Sequence, residues 1–380
     1  MSMRGALIAG LILAPGMWAQ SVINPDRLPT SVRELAPHPG DRLLRCEVTP
    51  MKPSLDFNFR FQTGYSVGVP MMQYFGPGHG WLIVTSVTPE NGTPVWLGAR
   101  VRLPDVPLTT VVSDTFGGFL VGAGRYKVDW ALFDDEGRVC RKQWKIEAKL
   151  SFGERHVTPL IPAHVVADFG GAGLPPLPPR PADAPPFRLT VLLHAAPASP
   201  RRLHMRVYDR ILLLSTLSAL LERGQPTSVR LEVFNFDKQR VIYGNDDFRL
   251  ESMGQVAQAL NALELETVDV KTLQNATGAT DLLESLIDKE TAASTPSDAV
   301  VFLGPAARYI EKRRASPIEG APPMRFYYFQ YRTFPGGPPQ PMFPDIISSA
   351  LASLKGRVFQ IYSPGQFADA IRELERLAKR

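Results

Sequence analysis

The residues best placed to do chemistry in this chain of 380 residues follow predicted strands or open a predicted helix. His194 comes directly after one buried apolar run, and Ser199 lies five residues further on. Thr280 opens a predicted helix, and Gly304 ends a second apolar run. Because ligands bind outside the carboxyl ends of parallel strands, we expect His194, Ser199 and Thr280 to form the rim of a crevice that binds a partner.

An imidazole and a hydroxyl in this arrangement suggest the base and the nucleophile of a hydrolase. Such a site also needs a carboxylate that orients the base, or a sharp strand-to-helix turn that exposes the nucleophile. Neither motif accompanies His194 and Ser199. We therefore predict no catalytic residues, and a hydrolase at this crevice is kept as an alternative.

The second half of the chain alternates predicted strands and helices. The predicted elements include strands at Arg188–Leu193, Val229–Phe236, Ala299–Leu303 and Arg325–Tyr331, a turn at Asp237-Lys238, a helix from about Leu203 and a short helix near Ala306–Arg314. This order of elements resembles a von Willebrand factor type A (vWA) domain over residues 187–380. Val233-Phe234-Asn235-Phe236 looks like the second strand of that family, and Gly278-Ala279-Thr280 resembles its Gly-Gly-Thr loop. The resemblance implies an α/β, doubly wound, mostly parallel sheet of the vWA/Rossmann-like type. The Gly-rich turn of a nucleotide-binding Rossmann domain is absent after the first strand, so we predict no cofactor.

The vWA family usually binds a divalent cation through Asp-x-Ser-x-Ser after the first strand, a loop Thr, and an Asp after the fourth strand. The resemblance places these ligands on His194, Ala196, Ala198, Thr280 and Gly304. Only Thr280 matches the family. Hard divalent cations need several oxygen ligands, at least one of them usually anionic. We therefore expect a degenerate metal-ion-dependent adhesion site that holds no metal.

Residues 41–155 show the period of two that is typical of half-buried strands. Two stretches alternate apolar and polar residues, with apolar members Leu55, Phe57, Phe59 and Phe61 in one, and Tyr126, Val128, Trp130 and Leu132 in the other. Gly122-Ala123-Gly124-Arg125-Tyr126 resembles the start of a late strand in immunoglobulin-like domains. The pattern predicts an all-β sandwich of immunoglobulin-like type, so the predicted fold class is this sandwich followed by the α/β domain.

Two segments flank the predicted sandwich. Residues 21–40 are rich in Pro and polar residues and are predicted to be an irregular lead-in. Residues 156–186 are predicted to be a linker, because Leu174-Pro175-Pro176-Leu177-Pro178-Pro179-Arg180 favours a stiff polyproline II spacer.

The first twenty residues predict a secretory signal peptide. Arg4 supplies the positive start, residues 6–14 form an apolar run, and Ala19 offers a cleavage point. No later run is long enough to span a bilayer. A net charge of +5 that is spread along the chain does not indicate nucleic-acid binding. We therefore predict an exported protein, periplasmic or secreted, without a membrane span after signal removal.

The predicted export allows a prediction about the oxidation state of the two cysteines. Cys46 and Cys140 fall in two predicted strands, and disulfides form in oxidising compartments. We predict that they are bonded; the alternative is two buried thiols that never meet.

These features together predict a non-enzymatic binding or scaffolding protein of the cell envelope or exterior, whose partner is another protein. This function is what the family resemblance implies. Besides the hydrolase, a second alternative is carbohydrate or matrix binding by the β domain.

Overall fold

The computed structural model describes residues 20–174, 180, 183–199, 202, 204–267, 270–308, 324–332 and 344–377. The chain divides into two compact units. Unit 1 consists of Met1–Asp56, Arg60–Leu150 and Pro159–Pro175, and unit 2 of Phe57–Phe59, Ser151–Thr158 and Pro176–Arg380.

In the described residues, unit 1 is built from two sheets, the helical turn α1 (Thr30–Arg33) and two short 3₁₀ turns, Pro25–Arg27 and Met71–Gln73. Its strands are β1 (Ser21–Val22), β2 (Arg42–Leu43), β3 (Glu47–Leu55), β4 (Phe61–Pro70), β5 (Gly80–Pro89), β6 (Val95–Arg102), β7 (Val112–Val121), β8 (Gly124–Asp134), β9 (Arg138–Ala148) and β10 (Val166–Ala167). The six-stranded sheet has the order β1-β6-β5-β8-β9-β2, and the four-stranded sheet has the order β10-β7-β4-β3.

The alternation predicted in β8 is confirmed, because its apolar residues point into the unit and are buried: Tyr126, Val128, Trp130 and Leu132. The turn that joins β8 to β9 is held by the Asp134 carboxylate, which accepts hydrogen bonds from the backbone N–H groups of Glu136 and Arg138. Gly137 completes the turn at φ +74°, where only glycine avoids a steric penalty.

The strand predicted through Leu55 and Phe61 is wrong, because the chain turns between them. β3 ends at Leu55 and β4 begins at Phe61. The Asp56 N–H donates to the Arg60 carbonyl at 3.0 Å, and Phe59 adopts a left-handed φ of +57°, which no strand residue has. Phe59 is buried although it lies in a turn. An apolar residue at this position therefore does not indicate the buried face of a strand.

The predicted disulfide between Cys46 and Cys140 is confirmed. Cys140 lies in β9 and Cys46 directly precedes β3, with a Cα–Cα separation of 6.3 Å. Cys140 belongs to a buried cluster that includes Trp130 and Leu132, and the partly buried Cys46 packs against this cluster. The cross-link therefore joins the two sheets of unit 1 through the core.

Among the described residues, the four sheet edges of unit 1 are short or interrupted. β1, β2 and β10 are two residues long, and the fourth edge, β3, contains Pro50 and Pro53. β1 lies in the segment predicted as an irregular lead-in, and β10 lies in the segment predicted as a linker. Both pair with a longer strand, β1 with β6 and β10 with β7.

Unit 2 contains one six-stranded sheet with the order β13-β12-β11-β14-β15-β16. Its strands are β11 (Arg188–His194), β12 (Ser228–Asn235), β13 (Arg240–Asn245), β14 (Ala299–Pro305), β15 (Arg325–Tyr331) and β16 (Arg357–Ile361). Its helices are α2 (Val207–Gly224), α3 (Met253–Asn261), α4 (Val270–Gln274), α5 (Gly278–Thr291), α6 (Ile346–Ser353) and α7 (Pro364–Leu377). Five strands run parallel, and the edge strand β13 is antiparallel to β12.

The strands of unit 2 form where the sequence predicts them, because central strands covered on both faces are continuous apolar runs. β14 is buried along its whole length. α2 begins at Val207, four residues later than the apolar period indicates, because Asp209 caps this end and accepts from the Arg206 N–H at 2.7 Å. Residues 309–314 of a predicted short helix, residues 1–19 of the predicted signal and residues 175–179 of the Pro-rich motif lie outside the described residues.

The predicted fold class, an immunoglobulin-like sandwich followed by a doubly wound vWA/Rossmann-like domain, is wrong. Of the residues that the structure describes, 37% lie in strands and 26% in helices, and the three sheets make a mostly β, mixed fold. The physical reason is that strand pairing recruits segments with no strand pattern of their own, such as Ser21–Val22 and Val166–Ala167.

In the part of the chain that the structure describes, no helix has both the length and the apolar character needed to cross a bilayer.

Candidate functional site

A small pocket, with room for about one water molecule, lies at the carboxyl ends of three neighbouring strands of unit 2. His194 is the last residue of β11, Phe236 and Asp237 follow β12, and Ala306 and Arg308 follow β14. The chain leaves β11 toward β12 on one side and later returns through β14 on the other. Ligand crevices of parallel sheets form at such a divergence, which makes this pocket the candidate site.

The His194 ring forms a wall of the pocket and is itself buried. Its Nδ1 lies 3.0 Å from the Pro305 carbonyl oxygen, which can only accept, so Nδ1 carries the proton and Nε2 of the neutral ring is an acceptor. Tyr328 also directs its hydroxyl to Pro305, at 2.9 Å. The ring stacks on Phe234 and is tilted against Phe236. Burial lowers the pKa of His194 below 6.5, so the ring is neutral at pH 7.

A buried carboxylate, Asp345, fixes the segment after β14 from behind the pocket. It accepts hydrogen bonds from the Ala307 N–H at 2.8 Å, the Gln330 Nε2 at 2.9 Å and the Tyr328 hydroxyl at 3.0 Å. It also caps α6 through the Ser348 N–H at 2.8 Å. Burial raises the pKa of Tyr328 well above 10, so this hydroxyl keeps its proton. The backbone after β14 is therefore held in one position.

The loop after β11 is held equally firmly by side chains from two other elements. Asn235 donates to the Ala195 carbonyl at 2.6 Å, and Asp209 accepts from the Ala198 N–H at 3.0 Å. The Ala195 N–H donates to the Phe234 carbonyl at 2.8 Å. These bonds engage backbone groups that would otherwise face solvent, so the loop presents mainly small apolar side chains at the pocket.

Arg308 and Asp237 are the charged groups that line the pocket. The closest approach between them, from Arg308 Nη1 to Asp237 Oδ2, is 4.0 Å, which is longer than a hydrogen bond. Arg308 Nη2 is buried and has no hydrogen-bond partner among the described residues. An unpaired buried donor is unfavourable, so the guanidinium retains capacity for an acceptor.

The structure brings only some of the predicted site residues to the pocket. His194 and Ala196 line it, whereas Ser199 and Thr280, both of which are described, are not among the residues that line it. Thr280 lies in the first turn of α5. The His194 ring meets a backbone carbonyl where a hydrolase of the predicted kind would place a carboxylate.

Gly304 and Ala198 do not present side chains that could coordinate a metal. Gly304 has a φ of +149°, and a Cβ added there would lie 2.7 Å from the His194 carbonyl oxygen, so an Asp does not fit at this position without a backbone shift. Ala198 is buried beside Asp209. Among the described residues, no group of three or more His, Cys, Asp or Glu is placed to hold a metal ion.

Three functional candidates were missed by sequence reasoning: Asp237, Arg308 and Asp345. The sequence pattern predicts a turn at Asp237 and a short helix at Arg308, and neither prediction indicates a pocket. A local signal exists only for Asp345, because Asp is a preferred residue at a helix N-cap and directly precedes the apolar start of α6. The other two reach the pocket through strand pairing that no local pattern encodes.

An apolar patch lies next to the pocket loop, on the first turns of α2. Val207 is 58% exposed, and Tyr208 and Ile211 are each 40% exposed. The hydrogen bond from Ala198 to Asp209 ties the pocket loop to the same turns of the helix. We call Val207, Tyr208 and Ile211 the α2 patch.

Comparisons with known proteins do not assign a family. No family model matches the chain, and no curated protein matches it. Three solved structures illustrate the similarities found. A putative ApaA protein from Bordetella pertussis is 10% identical over 29% of this chain and 99% of its own, with a TM-score of 0.22. A lipoprotein from Bacteroides thetaiotaomicron is 13% identical over 33% of this chain and 94% of its own, with a TM-score of 0.18.

The third, a Bacteroides uniformis beta-glucuronidase 2, is 8% identical over 76% of this chain and 36% of its own, with a TM-score of 0.19. These TM-scores are too low to carry an argument about fold or function.

Proposed function

We propose that this protein is an exported, non-enzymatic binding protein that recognises another protein through the carboxyl-end surface of the unit 2 sheet, without a metal ion. The observation that carries the proposal is the α2 patch beside the pocket. Three large apolar side chains are exposed on adjacent turns of one helix, and contiguous exposed apolar residues mark interaction sites more often than isolated ones.

Hydrogen bonds within the protein hold the described segments at this end of the sheet. Asn235 and Asp209 fix the loop after β11, and Asp345 fixes the segment after β14. A surface that is already held in its binding conformation loses little entropy on association. This rigidity supports recognition of a protein surface by shape.

Export rests on the predicted signal peptide together with the Cys46–Cys140 disulfide, because disulfides persist in oxidising compartments. Metal independence rests on Ala196, Ala198 and Gly304, which offer no side-chain oxygen at the positions where the vWA resemblance expects ligands. Partner binding is therefore expected to survive EDTA.

Site-specific photo-crosslinking tests the proposal in the full chain. A benzophenone amino acid replaces Tyr208 in one variant and Val270 in the control, because Val270 is similarly exposed, at 64%, on α4. After irradiation in the native compartment, the variant at 208 should give a discrete crosslinked protein and the variant at 270 should not.

A matched pair of substitutions provides the second measurement. Val207→Ser together with Ile211→Ser should lower the crosslinking yield from position 208 at least fivefold, whereas Val270→Ser should leave it unchanged. Equal yields from positions 208 and 270, or a yield that is indifferent to the double substitution, would refute the proposed surface.

A further inference from the structure

We infer that the protein partner meets the α2 patch through an acidic segment, in which Asp or Glu residues flank one or two apolar side chains. The inference rests on the proposed function for the place of binding and adds the chemistry of the partner. The observation that carries it is the charge beside the patch. Arg206 is exposed and Arg210 is half-buried, and neither has an ion-pair partner among the described residues.

The two arginines lie along one side of the α2 patch. Arg206 is the N-cap residue of α2 and directly precedes Val207. Arg210 is three residues after Val207 and four after Arg206, and residues at these spacings are neighbours on a helix surface. Arg210 Nη1 donates to the Met205 carbonyl at 3.3 Å, which keeps the guanidinium at the start of the helix. The two cations therefore form an edge of the patch.

The acidic groups at this end of α2 are engaged within the protein. The Asp209 carboxylate is buried and accepts hydrogen bonds from two backbone N–H groups. Glu266 faces His204 at 3.7 Å. The next charged residue along α2 is Glu222, about 18 Å further along the helix axis, which exceeds the Debye length of about 8 Å at physiological ionic strength. The accessible charge beside the patch is therefore positive.

The extent of the apolar surface favours a protein segment over a lipid bilayer. A helix that lies in a bilayer interface presents a long apolar face and many cations on its polar face. The α2 patch ends at Ile211, because Leu212 and Leu213 are buried and Leu214 is half-buried. A patch of about one and a half turns beside two cations suits a short stretch of a protein partner.

The chemistry of arginine favours carboxylates in that stretch. A guanidinium presents N–H donors in a planar fork that matches the two oxygens of a carboxylate. Exposed ion pairs are individually weak and are screened by salt, and they contribute more to specificity than to affinity. We therefore expect the apolar side chains of the patch to supply most of the affinity, and Arg206 and Arg210 to select an acidic segment over a neutral or basic one.

The experiment uses the purified full chain with the benzophenone amino acid at Tyr208, and peptide probes that differ in charge. The probes are N-acetyl-Glu-Leu-Glu-Glu-Leu-Glu-amide and the versions in which Gln or Lys replaces every Glu. The crosslinking yield is measured against peptide concentration and gives an apparent Kd for each probe. At low salt the Glu peptide should bind about fivefold more tightly than the Gln peptide, and the Lys peptide should bind least tightly.

Matched variants assign the preference to the two arginines. Arg206→Gln together with Arg210→Gln should remove the preference for the Glu peptide, whereas Arg206→Lys together with Arg210→Lys should keep it, because the charges remain. Arg240→Gln is the control, since Arg240 of β13 is exposed and likewise has no ion-pair partner among the described residues; it should change nothing. Circular dichroism checks that each variant folds.

Salt provides the same test without a substitution, so that a variant that fails to fold does not decide the result. At about 1 M NaCl the Debye length is about 3 Å, and the Glu and Gln peptides should then bind equally. A preference for the Glu peptide that survives both the salt and the paired Gln substitutions would overturn the role of the arginines.

The remaining outcomes separate this inference from the proposed function. Equal affinities of the three peptides at low salt, or a preference for the Lys peptide, would overturn the acidic segment. Arginine-dependent cosedimentation with phosphatidylglycerol vesicles, without a preference among the peptides, would overturn it in favour of a lipid surface. If the inference fails while Val207→Ser with Ile211→Ser still lowers crosslinking in the native compartment, the proposed function stands. Equal native yields from positions 208 and 270 would remove the proposed function, and this inference with it.

Discussion

Opening the Cys46–Cys140 disulfide should destabilise unit 1 by a calculable amount. The two cysteines are 94 residues apart, and the chain-entropy relation gives about 4 to 5 kcal/mol for a closed loop of this length. Domains are commonly stable by only about 5 to 15 kcal/mol. The cross-link is therefore expected to supply a large fraction of the stability of unit 1.

The distribution of aromatic residues and helices provides a separate probe for each unit. The four tryptophans among the described residues, Trp81, Trp96, Trp130 and Trp144, fall in unit 1, and Trp81 and Trp130 are buried there. In the described residues, every helix longer than one turn belongs to unit 2. Tryptophan emission therefore follows the unfolding of unit 1, and circular dichroism at 222 nm follows unit 2.

The assay is urea unfolding of oxidised and reduced protein. With an m-value of about 2 kcal/mol/M, loss of the disulfide should lower the midpoint of the tryptophan transition by about 2 M. Reduction breaks the cross-link but leaves both sulfur atoms in the protein. It therefore measures the loss of the cross-link alone, without the cavity that Cys140→Ala would create in the core. Coincident midpoints for oxidised and reduced protein would refute the reasoning.

Four further predictions concern unit 2 and are measured by urea unfolding at 222 nm. Gly304→Ala should lower the free energy of unfolding by about 1 to 3 kcal/mol, because the new Cβ meets the His194 carbonyl at φ +149°; an unchanged midpoint would contradict this close approach. Asp345→Ala should lower the free energy of unfolding by about 2 to 4 kcal/mol, since a buried acceptor and the cap of α6 are lost. A loss below about 0.5 kcal/mol would show that the hydrogen bonds of Asp345 do not stabilise the fold. Burial lowers the pKa of His194 in the folded state, so the unfolded state binds more protons below about pH 6.5. The free energy of unfolding should therefore fall as the pH is lowered, by at most about 1.4 kcal/mol per pH unit. His194→Asn should remove this contribution, and the same dependence of stability on pH in both proteins would argue against it. EDTA should leave the midpoint unchanged, because we expect no bound metal. A cation that bound only the folded state, at a hundredfold excess over its Kd, would add about 2.7 kcal/mol to the free energy of unfolding. A clear drop of the midpoint in EDTA would therefore reveal a bound metal.

The strands of unit 2 could be predicted from the sequence because burial on both faces leaves a continuous apolar signal. β15 coincides with the predicted Arg325–Tyr331, and β14 extends the predicted run by only Gly304 and Pro305. The segment between Leu55 and Phe61 was misread for the opposite reason. Phe59 is buried by tertiary packing in a turn, and periodicity cannot distinguish such a residue from one on a sheet face.

The predicted fold class was wrong because local sequence patterns do not indicate which distant segments of the chain pair as strands. Ser21–Val22 and Val166–Ala167 are too short to show a period of two, yet each completes a sheet. The residues of the candidate site could be predicted only in part for the same reason. The position of His194 at a strand end follows from β11, but Asp237 and Arg308 reach the same pocket from two other strands.

The sheet edges of unit 1 have a consequence for behaviour at high protein concentration. A long, open edge strand is a template on which a second chain can add, and this is a common start of aggregation. Here three edges are two residues long, and the nine-residue β3 lacks backbone donors at Pro50 and Pro53. Replacing both prolines by Thr would restore those donors, so the edge itself would become a seed for intermolecular sheets.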